Sequence, residues 1–166
     1  MEDRAANLYR AVAEISRFGP ILELSRIYES APLYDRAQNP FLNACAAIRT
    51  QLSPEELLHA VKEVEANLGR RKDPARPKGP RVVDIDILLY GARILDNGCP
   101  DLTIPHPGLL ERGFVLRPLL EIAPGVADPR DGTVLANALE TVTDQVVYLY
   151  RGKPLYYPRS DDGDDC

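Results

Sequence analysis

The run Pro80-Arg81-Val82-Val83-Asp84-Ile85-Asp86-Ile87-Leu88-Leu89-Tyr90-Gly91 constrains this chain more tightly than any other stretch. Its aliphatic residues, Val82, Val83, Ile85, Ile87, Leu88 and Leu89, predict a strand buried on both faces. Two carboxylates interrupt it. Strand side chains alternate, so Asp84 and Asp86 point to one face, with α-carbons about 6–7 Å apart. Two anions that close, against an apolar sheet, are costly unless positive charge lies between them. A hard divalent cation, Mg²⁺ first among them, meets that need. The same residues also allow a strand end at which both carboxylates face solvent or pair with arginine.

A chain of 166 residues with 45% hydrophobic content predicts one domain with an adequate core. A net charge of −5 argues against a general nucleic-acid or membrane-surface binder. No apolar run reaches membrane-spanning length, and no signal-peptide pattern opens the sequence. Cys45, Cys99 and Cys166 match neither a metal-ligand spacing nor a disulfide framework, which fits a reducing, cytoplasmic setting. His59 and His106 are too few for a histidine-rich metal site.

Periodicity predicts a helix from about Asp3 to Phe18, capped by Asp3 and stopped by Gly19-Pro20. Ala5, Leu8, Val12 and Ile15 form its apolar stripe. Strands are expected over Ile21–Tyr28 and Phe41–Thr50. The polar, proline-containing loop between them, Glu29 to Pro40, is long enough to be functional. Alternation puts Phe41, Asn43 and Cys45 on one face of the second strand, and Leu42, Ala44 and Ile48 on the other. Ser53-Pro54-Glu55-Glu56 is a capping box with proline at the first helical position. The helix it opens carries Leu57, Leu58, Val61, Val64 and Leu68 and ends at Gly69. Arg70 to Arg81 then hold six basic residues and one acid, directly before the two aspartates. Asp96-Asn97-Gly98 predicts a hairpin turn. Short helices are expected near Leu109–Arg112, within Val115–Ile122 and over Val134–Leu139, with a strand at Gln145–Arg151. The domain is expected to span residues 1–158. Residues 159–166 hold the acidic run after Ser160, lack a core pattern and are expected to be disordered.

The basic loop offers cations for phosphate oxygens. The aspartates offer carboxylates for a metal that bridges those oxygens. Together they suit phosphoryl-type transfer, where catalysis is positioning and charge stabilisation. Arg70 and Arg81 are sharper candidates than Lys72 or Lys78, because a guanidinium grips phosphate bidentately. Taken alone, the basic run is more simply a solvated surface. There is no Gly-Lys-Ser/Thr phosphate loop, no Gly-x-Ser-x-Gly elbow and no Cys-His pairing with a local signature.

The run Gly79 to Leu88 is followed by Ile104-Pro105-His106-Pro107, Glu111-Arg112-Gly113-Phe114-Val115-Leu116 and Pro118-Leu119-Leu120-Glu121-Ile122-Ala123-Pro124. This series closely resembles the hydroxymethyl-dihydropterin pyrophosphokinase family of folate biosynthesis. Ile27 to Leu33, Gln38 to Asn43 and Leu52 to Leu58 resemble the same family, so the likeness covers about Asp3 to Pro124 in register. The resemblance implies an α+β fold, a ferredoxin-like three-layer αβα sandwich with a mainly antiparallel sheet. It implies transfer of pyrophosphate from ATP to the hydroxymethyl oxygen of 6-hydroxymethyl-7,8-dihydropterin, with release of AMP. Asp84 and Asp86 would hold two Mg²⁺ ions across the ATP phosphates, and Arg70 and Arg81 would be catalytic contacts to phosphate oxygens. Phe41 and Phe114 would sandwich the pterin, while Asn43, Ser30 and backbone near Leu33 would read its edge. On the ATP side would stand Glu65, Arg70, Lys72, Arg81, Ile87, Thr103, His106 and Arg112. The implied protein is a monomer acting on small molecules, with no nucleic-acid or membrane partner. By residue type alone, Phe41 and Phe114 suit a core, Asn43 a strand edge, His106 a rigid turn, and Glu65 and His59 a helix surface.

The chain departs from the family pattern in places. The family's first strand, ending in Gly-Ser-Asn, has no counterpart, since Met1-Glu2-Asp3-Arg4 corresponds to the position just after it. Met1 is therefore expected to be an internal methionine of a longer product. Lys78 stands where members often carry tryptophan, and Pro107 where some carry an aromatic residue. Two other functions stay open: a truncated, catalytically impaired remnant or binding module, and another two-metal enzyme such as a nuclease. The negative charge and the Phe41/Phe114 pair weigh against the nuclease.

Overall fold

A computed structural model describes residues 4–31, 40–69, 82–96 and 102–155, and its helices and antiparallel strands make an α+β fold. The first helix, α1 (Arg4–Ile15), ends in a 3₁₀ turn over Ser16–Phe18. It buries Ala5, Ala11 and Val12, whereas Leu8 and Ile15 of the expected stripe are half-buried. It packs on the longer helix α2 (Pro54–Leu68), which buries Pro54, Leu57, Val61 and Val64. The α2 start is the capping box the sequence predicts. Ser53 Oγ accepts the Glu56 N–H at 3.2 Å, and Glu56 Oε2 accepts the Ser53 N–H at 2.7 Å. Between α1 and the first strand, Gly19 adopts φ 146°. A Cβ there would lie 1.8 Å from the Arg49 carbonyl oxygen, so the turn requires glycine.

Each of the two expected long strands is split. Ile21–Tyr28 becomes β1 (Ile21–Leu24) and the start of β2 (Tyr28–Ser30); Phe41–Thr50 becomes β3 (Phe41–Asn43) and β4 (Ala46–Ile48). The cause is Ser25, which is 1% exposed. Its hydroxyl accepts the Cys45 N–H at 2.8 Å and donates to the Arg26 carbonyl at 2.8 Å, while its own N–H donates to the Cys45 carbonyl at 2.9 Å. A side chain that satisfies backbone groups displaces the ladder at that point. The result is two antiparallel sheets. One pairs β1 with β4; the other has the order β3-β2-β5, with β5 at Val147–Leu149 inside the expected Gln145–Arg151 strand.

Residues 82–90 are not a strand. No strand pairs with them among the described residues; the Ile85 N–H donates to a Glu65 carboxylate and the Leu88 carbonyl accepts the His106 N–H. The aliphatic residues are half-buried rather than buried on both faces, and both aspartates are exposed. The Asp96 turn falls partly outside the described residues. Leu95 and Ile104 flank it as an antiparallel bridge, with backbone bonds of 2.8 and 2.9 Å. Leu109–Arg112 forms turns, not a helix, because its N–H groups bond three residues back, Leu109 to His106 and Glu111 to Gly108.

Helix α3 (Gly113–Ile122) runs through Pro118, and α4 (Leu135–Ala138) continues as a 3₁₀ turn over Leu139–Val142. Leu109, Val115, Leu116, Leu119, Leu135 and Val142 form the core here, with Leu88, Leu89 and Phe114 packed against it. Residues 82–90 are thus held between a helix carboxylate and this core. Cys45 is half-buried, and burial pushes its thiol up to about 11, which marks it as a packing residue. His59 is an exposed α2 residue, 3.7 Å from Glu63. The acidic tail, Cys99 and Cys166 lie outside the described residues.

Candidate active site

Helix α2, residues 85–87 and residues 102–107 enclose a cavity of about 150 Å³, lined among others by Lys62, Asp86, Ile87, Thr103 and His106. His106 is fixed by its own turn. Its Nδ1 accepts the Gly108 N–H at 3.0 Å, so the ring proton of the neutral imidazole belongs on Nε2, which lies 3.9 Å from Asp86 Oδ2. The ring's pKa lies below the ordinary histidine value. Burial is the largest cause; the Asp86 charge opposes it and Arg112 adds to it. The Asp86 side chain is 46% exposed, against 21% for His106, so the carboxylate faces the opening.

A second group sits on the sheet. Ser30 ends β2 and pairs with Phe41, the first residue of β3. Asn43, one strand step further on the same face, donates from Nδ2 to the buried Ser30 Oγ at 3.0 Å. That bond fixes the amide's orientation. Phe41 is 51% exposed, unusual for a large aromatic residue and suited to stacking on a flat ligand. Arg112 stands on the His106 side of the site. Its guanidinium lies 5.9 Å from the centre of the Phe114 ring, packs over Gly108 and acts electrostatically on His106.

Residues 1–124 match the family described as 7,8-dihydro-6-hydroxymethylpterin-pyrophosphokinase. The chain belongs to that family. Among similar pyrophosphokinases, the 2-amino-4-hydroxy-6-hydroxymethyldihydropteridine pyrophosphokinase of Methylorubrum extorquens is 44% identical over 125 residues, covering 74% of this chain and 76% of the relative. The protein of the same name from Synechocystis is 36% identical over 143 residues, 86% of this chain and 71% of its own length. Folic acid synthesis protein fol1 of Pneumocystis carinii is 39% identical over 140 residues, which cover 81% of this chain and 18% of that protein. The chain therefore spans less than a fifth of the folic acid synthesis proteins it matches.

Of the residues that the pyrophosphokinase resemblance singled out, the fold gathers Asp86, Ile87, Thr103 and His106 at one cavity. It gathers Ser30, Phe41 and Asn43 on one sheet, and sets Arg112 against Phe114. Asp84 is exposed two residues before Asp86. Arg70, Lys72, Arg81 and Leu33 lie outside the described residues. Glu65 does not line the cavity; it bonds the backbone behind it. The sequence reading missed Leu58, Lys62, Ile85 and Leu102 as cavity walls. Leu58 and Lys62 could have been found from their spacing of four, which puts them on one α2 face with Glu65. Leu102 has no such local signal.

Proposed function

We propose that this domain transfers the pyrophosphoryl group of ATP to the hydroxymethyl oxygen of 6-hydroxymethyl-7,8-dihydropterin, a step of folate biosynthesis. The new bond joins the pterin oxygen to the β-phosphorus. The bond from the β-phosphorus to the oxygen bridging it to the α-phosphorus breaks, AMP leaves, and the hydroxyl proton goes to solvent or base. One observation carries this reading: in a chain of this family, Asp86 lines a cavity, Asp84 lies exposed two residues before it, and a sheet presents Phe41 and Asn43.

Two carboxylates are hard oxygen donors, and among the described residues no group of three or more Asp, Glu, His or Cys is placed to hold a metal by protein side chains alone. That donor set suits Mg²⁺, which keeps water and substrate phosphate among its ligands. Bound at Asp84 and Asp86, Mg²⁺ would neutralise the phosphates and polarise the oxygens undergoing reaction. Phe41 and Phe114 stack on the pterin, and Asn43, oriented by Ser30, hydrogen-bonds its edge. Arg70, Arg81 and Lys72 contact the phosphates, with Thr103, His106, Ile87 and Arg112 on the nucleotide side. The scaffold is a ferredoxin-like three-layer sandwich, supported by α3 packing on the β3-β2-β5 sheet and α1 packing on α2 and β3. The protein works in the cytoplasm as a monomer; no helix among the described residues is long and apolar enough to cross a membrane.

The test is AMP release from ATP and Mg²⁺ with and without the pterin. Pterin-dependent AMP is expected. ADP in its place means simple phosphorylation and a different mechanism. No turnover removes the enzymatic reading and favours a binding module.

A further inference from the structure

Asp84 and Asp86 flank the Ile85 peptide, and its N–H donates to Glu65 Oε1 at 2.7 Å. Glu65 lies in the last turns of α2, with its side chain only 9% exposed. Lys62, one turn earlier, fixes the same carboxylate: its Nζ is 3.1 Å from Oε1 and 3.0 Å from Oε2. Lys62 and Ile85 line the cavity, whereas Glu65 does not. A carboxylate held in this way holds the protein's own backbone rather than a ligand.

Residues 82–90 make no ladder among the described residues, so no sheet neighbour sets which way successive side chains point. The direction and separation of Asp84 and Asp86 then depend on how the peptide between them is held. A short, charge-assisted bond is stronger than a neutral one and holds that peptide in one orientation. We infer that Glu65 is a positioning residue: it anchors the Ile85 peptide, and so fixes the two flanking carboxylates at the separation a divalent cation requires. The inference rests on the reading of Asp84 and Asp86 as the cation's ligands.

The test is Mn²⁺ binding to the full chain without nucleotide, read from the electron paramagnetic resonance of free Mn²⁺. Wild type should bind, and Asp86→Asn should weaken binding. An unchanged affinity in Asp86→Asn overturns the metal reading itself, before any Glu65 variant is made. Groups that orient metal ligands from behind typically cost about 10–100-fold in affinity when removed. Glu65→Ala should fall in that range. Glu65→Gln, whose amide oxygen can still accept the Ile85 N–H, should stay within about threefold of wild type. A folded Glu65→Ala that keeps its Mn²⁺ affinity but needs more ATP overturns the inference and makes Glu65 a nucleotide contact. Should Glu65→Ala not fold, amide exchange decides. A protected Ile85 N–H in wild type and Glu65→Gln is expected; exchange at the rate of an open peptide overturns the inference.

Discussion

Two helix glutamates make the same kind of bond in different surroundings. Glu121, near the end of α3, accepts the Arg26 N–H at 3.2 Å and its Nε at 2.9 Å, and the Tyr28 hydroxyl at 2.7 Å. Glu65, near the end of α2, accepts the Ile85 N–H and the Lys62 ammonium. Each reaches backbone that has no ladder at that point: Arg26 lies between β1 and β2, and Ile85 lies within residues 82–90. What differs is the flanking chemistry. Arg26 sits between the buried residues Ser25 and Ile27, whereas Ile85 sits between two exposed aspartates. One hydrogen-bond pattern thus supports packing in one place and, on our inference, ligand geometry in the other. The residue making the bond does not reveal which; the residues beside its partner do.

The largest expected effect comes from removing a carboxylate outright. Asp86→Ala should lower pterin-dependent AMP release on the order of 10³-fold, since metal stabilisation supplies several kcal/mol. Its melting temperature should stay near wild type, because the side chain is half exposed. A small loss of activity would remove Asp86 from the chemistry and collapse the contrast between the glutamates. Next come the Glu65 variants above, for which Glu121→Ala is the control: it should leave Mn²⁺ affinity unchanged. Phe41→Ala should raise the KM for the pterin by about fivefold, the loss of roughly 1 kcal/mol of stacking. The Mg²⁺ dependence should not move, which separates the sheet group from the aspartates.

The smallest effect belongs to Glu121→Gln, with a melting temperature lower by roughly 2–4 °C at neutral pH. Here pH sharpens the comparison. Partial burial raises the Glu121 pKa, but hydrogen bonds from Tyr28 and Arg26 outweigh it and hold the carboxyl below the usual range. A folded pKa below the unfolded one adds stability above the unfolded value, and that stability is lost as pH falls through the folded value. The melting difference between wild type and Glu121→Gln should therefore shrink as pH falls below about 4. A difference that stays constant well below that pH would show that packing, not charge, carries the Glu121 contribution.

Parts of this architecture were legible from local chemistry. The α2 start follows from Ser53, Pro54 and Glu56, which need only each other, and both bonds of the box are present. Asp84 and Asp86 stood out because carboxylates are rare in an apolar run. The strand breaks were not legible. Ser25 and Cys45 each fall inside a run that reads as one strand, and the break comes from a hydroxyl bonding across 20 residues. The aspartate run has strand composition, yet a strand is defined by its pairing, and none pairs with it among the described residues.

Sequence by itself determined the residue types of the site, the capped helix that carries Lys62 and Glu65, and the family. All three depend on side-chain identity at short spacings. Tertiary structure alone decided that His106 stands beside Asp86, that Ser30 orients Asn43, and that Glu65 holds the peptide between two aspartates. Those partners are 13 to 20 residues apart. Nothing in a chain's local preferences specifies a contact across such a distance; only packing the helices against the strands brings the groups within bonding range.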